Sequence, residues 1–392
     1  MNETLTTKSA SEYETGDNLV RNDTETRLID WVVNGKNPDK RGINMFGLRC
    51  LTGVCSFELV EDVVVETDQR LWSDTANWEN GQLPQEGDEV EILPGWNMLL
   101  DIPETPILKK LEINGRLSFM RKPDLDIHLR AKQIFVRAGE LLIGNATHPF
   151  ENKATITLFG SQKEETLIFS GTISAGNKII LTVGTFEAYG LPRSQMTRLT
   201  NPVYAGESTI LVESGLDWVA GDKIYLAPTA MQNTHSDYRT IVNYNSDGGI
   251  ITLDEPLQFY HWGAAESTAA DYNGVDMRGE VILLTRNVKI QGEDRDGWGG
   301  QVLVSDYFET DGTWRKGSLA FDNVQVYNCS QQDTYHAAIR WEGAIGGHSS
   351  IQNSVVHGSM AWSISVFRSN NVYLADSYFI GSYAIGVHFD FI

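Results

Sequence analysis

Basic residues are scarce in this 392-residue chain: 31 Lys and Arg stand against 52 Asp and Glu, a formal net charge of −21. That balance argues against a nucleic-acid partner, because phosphate binding needs a basic footprint. It argues equally against a purely electrostatic dock on anionic lipid. No apolar run approaches the ~18 residues that would span a bilayer. Residues 1–28 hold no apolar core of the kind a signal peptide carries. Any membrane attachment or secretion signal is therefore expected from a region outside this chain. Cysteine is rare, at three residues. No second Cys/His pair stands at ligand spacing, so a structural zinc site is not expected. Between Trp72 and about Gly160 no window has the apolar period of a long amphipathic helix.

What remains points to β-structure. Hydrophobic residues make up 41% of the chain, enough for real cores. The 36 glycines fit short strands joined by tight turns. Between residues 67 and 190, glycine-punctuated strands follow one another: Val90-Glu91-Ile92, Leu111-Glu112-Ile113 with the Asn114-Gly115 turn, Leu117-Ser118-Phe119, and Ile134-Phe135-Val136. Residues 1–66 read as a polar, flexible tail with an unassigned β segment. Residues 191–392 read as a β insertion followed by coils.

From about residue 281 the pattern repeats. Four segments begin with Asn and continue as a short strand: Asn287-Val288-Lys289-Ile290, Asn323-Val324-Gln325-Val326, Asn353-Ser354-Val355-Val356 and Asn371-Val372-Tyr373-Leu374. Gly358-Ser359-Met360-Ala361 returns as Gly381-Ser382-Tyr383-Ala384, 23 residues on (381 − 358). One coil of a right-handed parallel β-helix needs about this length. The expected fold is thus all-β: a glycine-punctuated domain leading into a right-handed parallel β-helix. Ala361 should sit directly over or under Ala384. The Asn residues read as left-handed turn positions with no binding role. The apolar strand ending at Ile392 reads as a boundary within a longer solenoid.

The run Leu71-Trp72-Ser73-Asp74, Trp78, Gly81, Pro84, Gly87-Asp88, Gly95, Leu100-Asp101, Gly115 and Ile143-Gly144 resembles the domain named for its eight glycines. Trp218 with Gly221-Asp222, and Asp276-Met277-Arg278-Gly279-Glu280-Val281, match further segments of the same family. That family includes fibrocystin, fibrocystin-L and cell-surface hyaluronidases; in character the chain is closest to the fibrocystin branch. The resemblance implies an extracellular or cell-surface module for adhesion or glycan recognition, a ciliary membrane being one placement the family allows. Its partner would be a glycan or an extracellular protein. The alternative it implies is a calcium-dependent hyaluronan-type depolymerase. The hyaluronidase branch carries a His-x-His pair on one coil. Here the corresponding stretch reads Tyr335-His336-Ala337-Ala338-Ile339-Arg340-Trp341, without the pair, and no hyaluronan cleavage is expected.

Asp276, Arg278 and Glu280 alternate, so on one strand they would share a face, either as a sugar-holding acid/base site or as an ion-pair ladder. His336 with Arg340, and His388 with Asp390, are proton-transfer candidates. Asp294 and Asp296, in an acidic turn, form a weak calcium candidate that lacks the full loop spacing. Calcium is the one cofactor considered. Trp298, Trp314, Trp341 and Trp362 are either sugar platforms or buried packing. Cys50 and Cys55 bracket a four-residue loop that a disulfide can close, which leaves Cys329 as a buried rung residue. Glycosylation sequons begin at Asn2, Asn22, Asn145 and Asn328.

Overall fold

The computed structural model describes residues 69–169, 173–265, 275–293 and 297–390, with short strands at Arg21–Asn22, Ile29–Asp30 and Asp271–Tyr272. Cys50 and Cys55 lie outside the described residues, as do Asn2, Asp294 and Asp296. The chain divides into two units, 1–65 and 66–392. In the first, Arg21–Asn22 pairs antiparallel with Ile29–Asp30.

Among the described residues there is no α-helix; short strands follow one another and pair in parallel with the strand one coil away. Three faces result. The first stacks the start of Ile127–Val136, then Ala154–Leu158, Val288–Gly292, Val324–Tyr327, Val355–His357 and Tyr378–Ile380. The second stacks Glu89–Ile92, Leu108–Ile113, the end of Ile127–Val136, Ile179–Thr182, Gln301–Val304, Ile339–Glu342, Ile364–Phe367 and Val387–Asp390. The third runs from Gln69–Leu71 through Asn97–Leu100, Arg116–Phe119, Glu140–Ile143, Thr185–Tyr189, Ser318–Asp322 and Ser349–Gln352 to Val372–Ala375. This is a parallel β-helix. Alternation within each strand sends one set of side chains inward. Met98, Leu117, Leu141, Phe186, Leu319 and Ile351 thus form part of one continuous buried core with Ile156, Ile290 and Val326. Each such burial contributes about 1.5–3 kcal/mol.

The repeat found in sequence is this stacking. Val355 pairs with Tyr378, 23 residues on (378 − 355), and the Ala384 amide donates to the Ala361 carbonyl at 3.0 Å. Asn323, Asn353 and Asn371 take left-handed φ values of 55°, 50° and 57° and turn the chain between faces. Asn287 works differently: its side-chain amide donates to the Phe150 and Asn152 carbonyls and its oxygen accepts from the Leu191 amide. The sequence placed the coils from about residue 281, whereas the ladders begin at Gln69. Cys329 is buried in the core as a free thiol, and burial pushes its pKa up to about 12.

Two glycines show why this segment is glycine-rich. A Cβ on Gly139 would lie 1.7 Å from the Gly115 carbonyl oxygen, and one on Gly184 would lie 2.4 Å from that of Gly139. Each precedes a third-face strand, and their backbones touch from coil to coil, so a side chain there has no room.

Between Tyr189 and Val288 the chain leaves the helix for 98 residues (287 − 189). This excursion forms an antiparallel sheet around Leu199, Ile210, Trp218, Ile224, Ile241, Ile251 and Val281. It rejoins the helix in register, with Val288 beside Ala154. Its Ile282 and Leu284 pack on Val355 and Ile380 of the first face, with Met196, Tyr225 and Tyr378 around them. Gln195 donates to Asn353 at 2.8 Å. The insertion is therefore laid along several coils of the face it springs from.

Candidate functional site

The insertion and the first face enclose a groove of about 800 Å³. The helix supplies its floor. In parallel register, Thr155, Lys289 and Gln325 form one outward column, and Thr157, Gln291, Tyr327 and His357 form the next. Thr155, Lys289, Gln325, Tyr327 and His357 line the groove. The insertion and the return to the helix supply the walls, including Arg193, Lys223, Tyr238, Asp254 and Arg286.

The floor is held by its own contacts. Tyr327 and His357 stack at 4.7 Å. The Gln325 side-chain oxygen accepts from the Arg286 amide at 3.3 Å, which leaves its nitrogen to donate to His357 Nε2 at 2.8 Å. His357 therefore accepts at Nε2 and is neutral. Burial, with Lys223, Lys289 and Arg286 nearby, drives its pKa down to about 3. Both groove carboxylates are engaged: Asp222 binds Arg193 at 2.7 Å, and Asp254 accepts from the Thr240 and Glu255 amides. The free polar groups facing the groove are consequently cations, amides and phenols. That set can bind and orient a polar ligand; no pair of free carboxylic acids of the kind glycoside hydrolysis uses lines it.

The residues singled out from sequence lie elsewhere. Asp276 and Glu280 do not share one strand. Val275–Asp276 ends, the Asp276 carboxylate caps the Arg278 amide, and Glu280 opens the next strand. The chain turns there, so the alternation expected for a single strand is broken. Arg278, 5% exposed, donates to both Asp276 oxygens and to Glu213, while Arg198 bridges Glu280 at 2.9 Å and Asp276 at 3.6 Å. The Arg278 hydrogen bonds hold the Asp276 pKa at about 2, far from the value of a general acid near neutral pH.

His336 is buried, bonded to Gln331 at 2.7 Å, with its pKa lowered to about 4 by burial and by Arg340. Arg340 is itself buried and donates to Ser174 O and Glu342. His388 lies in the outward column of Arg340 with Ser365 between them, and packs on Trp362 at 4.9 Å. At about 4.8 Å per strand, Arg340 and His388 are about 10 Å apart along the ladder. Trp341 is wholly buried, and Trp314 stacks on Phe308 at 5.7 Å. Among the described residues no three His, Cys, Asp or Glu side chains gather as a metal site would require.

The groove was missed in sequence because Lys153, Lys223, Lys289 and His357 are far apart along the chain. One signal was available: Lys289 occupies an outward position in a strand already recognised by its alternation.

Residues 77–200 match the G8 domain. Mouse fibrocystin-L is 35% identical over 245 residues, covering 61% of this chain and 6% of its own length. Human fibrocystin-L is 34% identical over 244 residues, with the same shares. Mouse fibrocystin is 27% identical over 380 residues, 93% of this chain and 9% of its own. The chain thus spans under a tenth of the length of these relatives. Among solved structures, the Gp54 tailspike of Acinetobacter baumannii bacteriophage AP22 covers 68% of this chain and 38% of its own at 10% identity and a TM-score of 0.24, which supports no inference about ligand or activity. Residues 77–200 are thus a G8 domain built into the coils, in a chain that is similar to fibrocystin-L and fibrocystin over 61% and 93% of its length.

Proposed function

We propose that the chain is an extracellular or cell-surface recognition module that binds a glycan in the groove between the first face and the insertion. The observation that carries this is the groove itself: a trough of about 800 Å³ floored by a parallel ladder, with Lys289 and Gln325 outward on successive coils and Tyr327 in the neighbouring column. Positions about 4.8 Å apart up each column and about 6.6 Å apart between columns suit an extended, hydroxyl-rich chain that needs repeated polar contacts and an aromatic surface. Exposed Asn145, in a turn closed by its own side chain, fits a glycosylation acceptor. Asn328 fits less well, because Ser330 of its sequon is fully buried.

The test is a printed glycan array probed with the whole chain and with Tyr327→Ala. Retention of one glycan class that is lost in the variant is the expected result. An array on which the folded chain retains nothing removes the reading and leaves protein adhesion in its place.

A further inference from the structure

The groove carries charge of one sign in a chain of the other. Six basic side chains line it (Lys153, Arg193, Lys223, Arg239, Arg286 and Lys289) against two acidic ones, Asp222 and Asp254, within a chain of net charge −21. Arg193 is spent on Asp217 and Asp222, and Arg239 on Asp237 and three backbone carbonyls.

The other four differ. Lys153, Lys223 and Lys289 have no carboxylate partner among the described residues, and Lys289 stands half-buried. Its ammonium is pushed down from the ordinary lysine value by burial and by the charges of Lys223 and Lys153. Arg286 is 3% exposed. Its Nη1 donates to the Leu283 and Thr285 carbonyls, but its Nη2 is buried with no hydrogen-bond partner. Burial brings the Arg286 pKa down to about 10. Gathering like charges and burying an unpaired guanidinium nitrogen both cost folding free energy. Sites that carry such a cost are candidates for function, the missing partner being the ligand.

We propose that the groove binds an oxyanion, the carboxylate or sulfate of an acidic saccharide, on Lys153, Lys223 and Lys289, with the charge of buried Arg286 behind them. This rests on the saccharide-recognition reading above and adds that the saccharide is charged. The lysines neutralise the anion from the floor and rim, and the buried Arg286 guanidinium adds positive charge behind them.

The test is calorimetric titration of the whole chain at low ionic strength with sodium sulfate, sodium glucuronate and, as the neutral control, glucose. Saturable binding of either anion but not of glucose is expected, and which anion binds identifies the substituent. A Lys223→Gln/Lys289→Gln double variant should weaken that binding at least tenfold while melting at the wild-type temperature, since both side chains reach solvent. Two results overturn the proposal: no saturable anion binding, or binding that the double variant leaves unchanged. Failure here, with neutral glycans still captured on the array, removes the anion site and keeps the recognition module.

Discussion

Tyr327 and His357 occupy one outward column on neighbouring coils, and their rings stack at 4.7 Å. Burial, with Lys223, Lys289 and Arg286 nearby, holds His357 neutral at the bottom of the groove, and this makes stability depend on pH. His357 and His336 have folded pKa values of about 3 and about 4, below the ordinary 6.5. The unfolded chain therefore binds more protons between those values and about 6.5. Stability is complete above about pH 6.5 and is lost as pH falls toward 4, at up to about 1.4 kcal/mol per pH unit for each histidine. Urea unfolding at pH 7, 6, 5 and 4 measures it. His357→Gln should remove about half the slope; an unchanged slope contradicts the assignment.

Gly139→Ala should be among the most damaging single-methyl changes in the chain. The new Cβ meets the Gly115 carbonyl at 1.7 Å, backbone against backbone, so neither side yields cheaply. A loss of at least about 3 kcal/mol is expected. Gly206→Ala is the control: its φ is +93° but the space around it is open, so strain alone should cost about 1–2 kcal/mol. Thermal melts of the two variants distinguish crowding from strain.

Ile290→Ala empties part of the continuous core beneath the groove floor and should cost about 2–5 kcal/mol. Because the strand carrying Ile290 also presents Lys289, ligand binding measured on the surviving folded fraction should weaken with it.

Labelled hyaluronan incubated with the chain, with and without calcium, should keep its length. Asp276 is tied to Arg278 and Arg198, and neither Asp276 nor Glu280 lines the groove. Shortening that disappears in Asp276→Asn would restore the depolymerase reading.

Much of the helix was legible because its last coils are plain. Asn287, Asn323 and Asn353 precede successive first-face strands, although Asn371 opens a third-face strand, and 23 residues separate Gly358 from Gly381 with nothing intervening. The earlier coils repeat the same physics but hide it. On the first face the step is 36 residues from Val288 to Val324 (324 − 288), and 134 from Ala154 to Val288 (288 − 154). A fixed period cannot be seen across bends of such different length. The charged residues misled for a related reason. Asp276, Arg278 and Glu280 have strand spacing, but the Asp276 side chain closes a turn instead. A sequence gives the spacing of residues and not the break between them. The groove needed tertiary information from the start, since its floor and walls come from segments up to about two hundred residues apart.

A solenoid is ordinarily a stack in which each layer knows only its neighbours, and it can peel from either end. The insertion changes that. It is covalently joined at Tyr189 and Val288, yet it grips Asn353, Val355 and Ile380 two and three layers further along. It acts as a splint laid over several joints. Peeling from the far end must first lift the splint, so layers that share no hydrogen bond open together, and a ligand seated beneath it would tighten the same clasp.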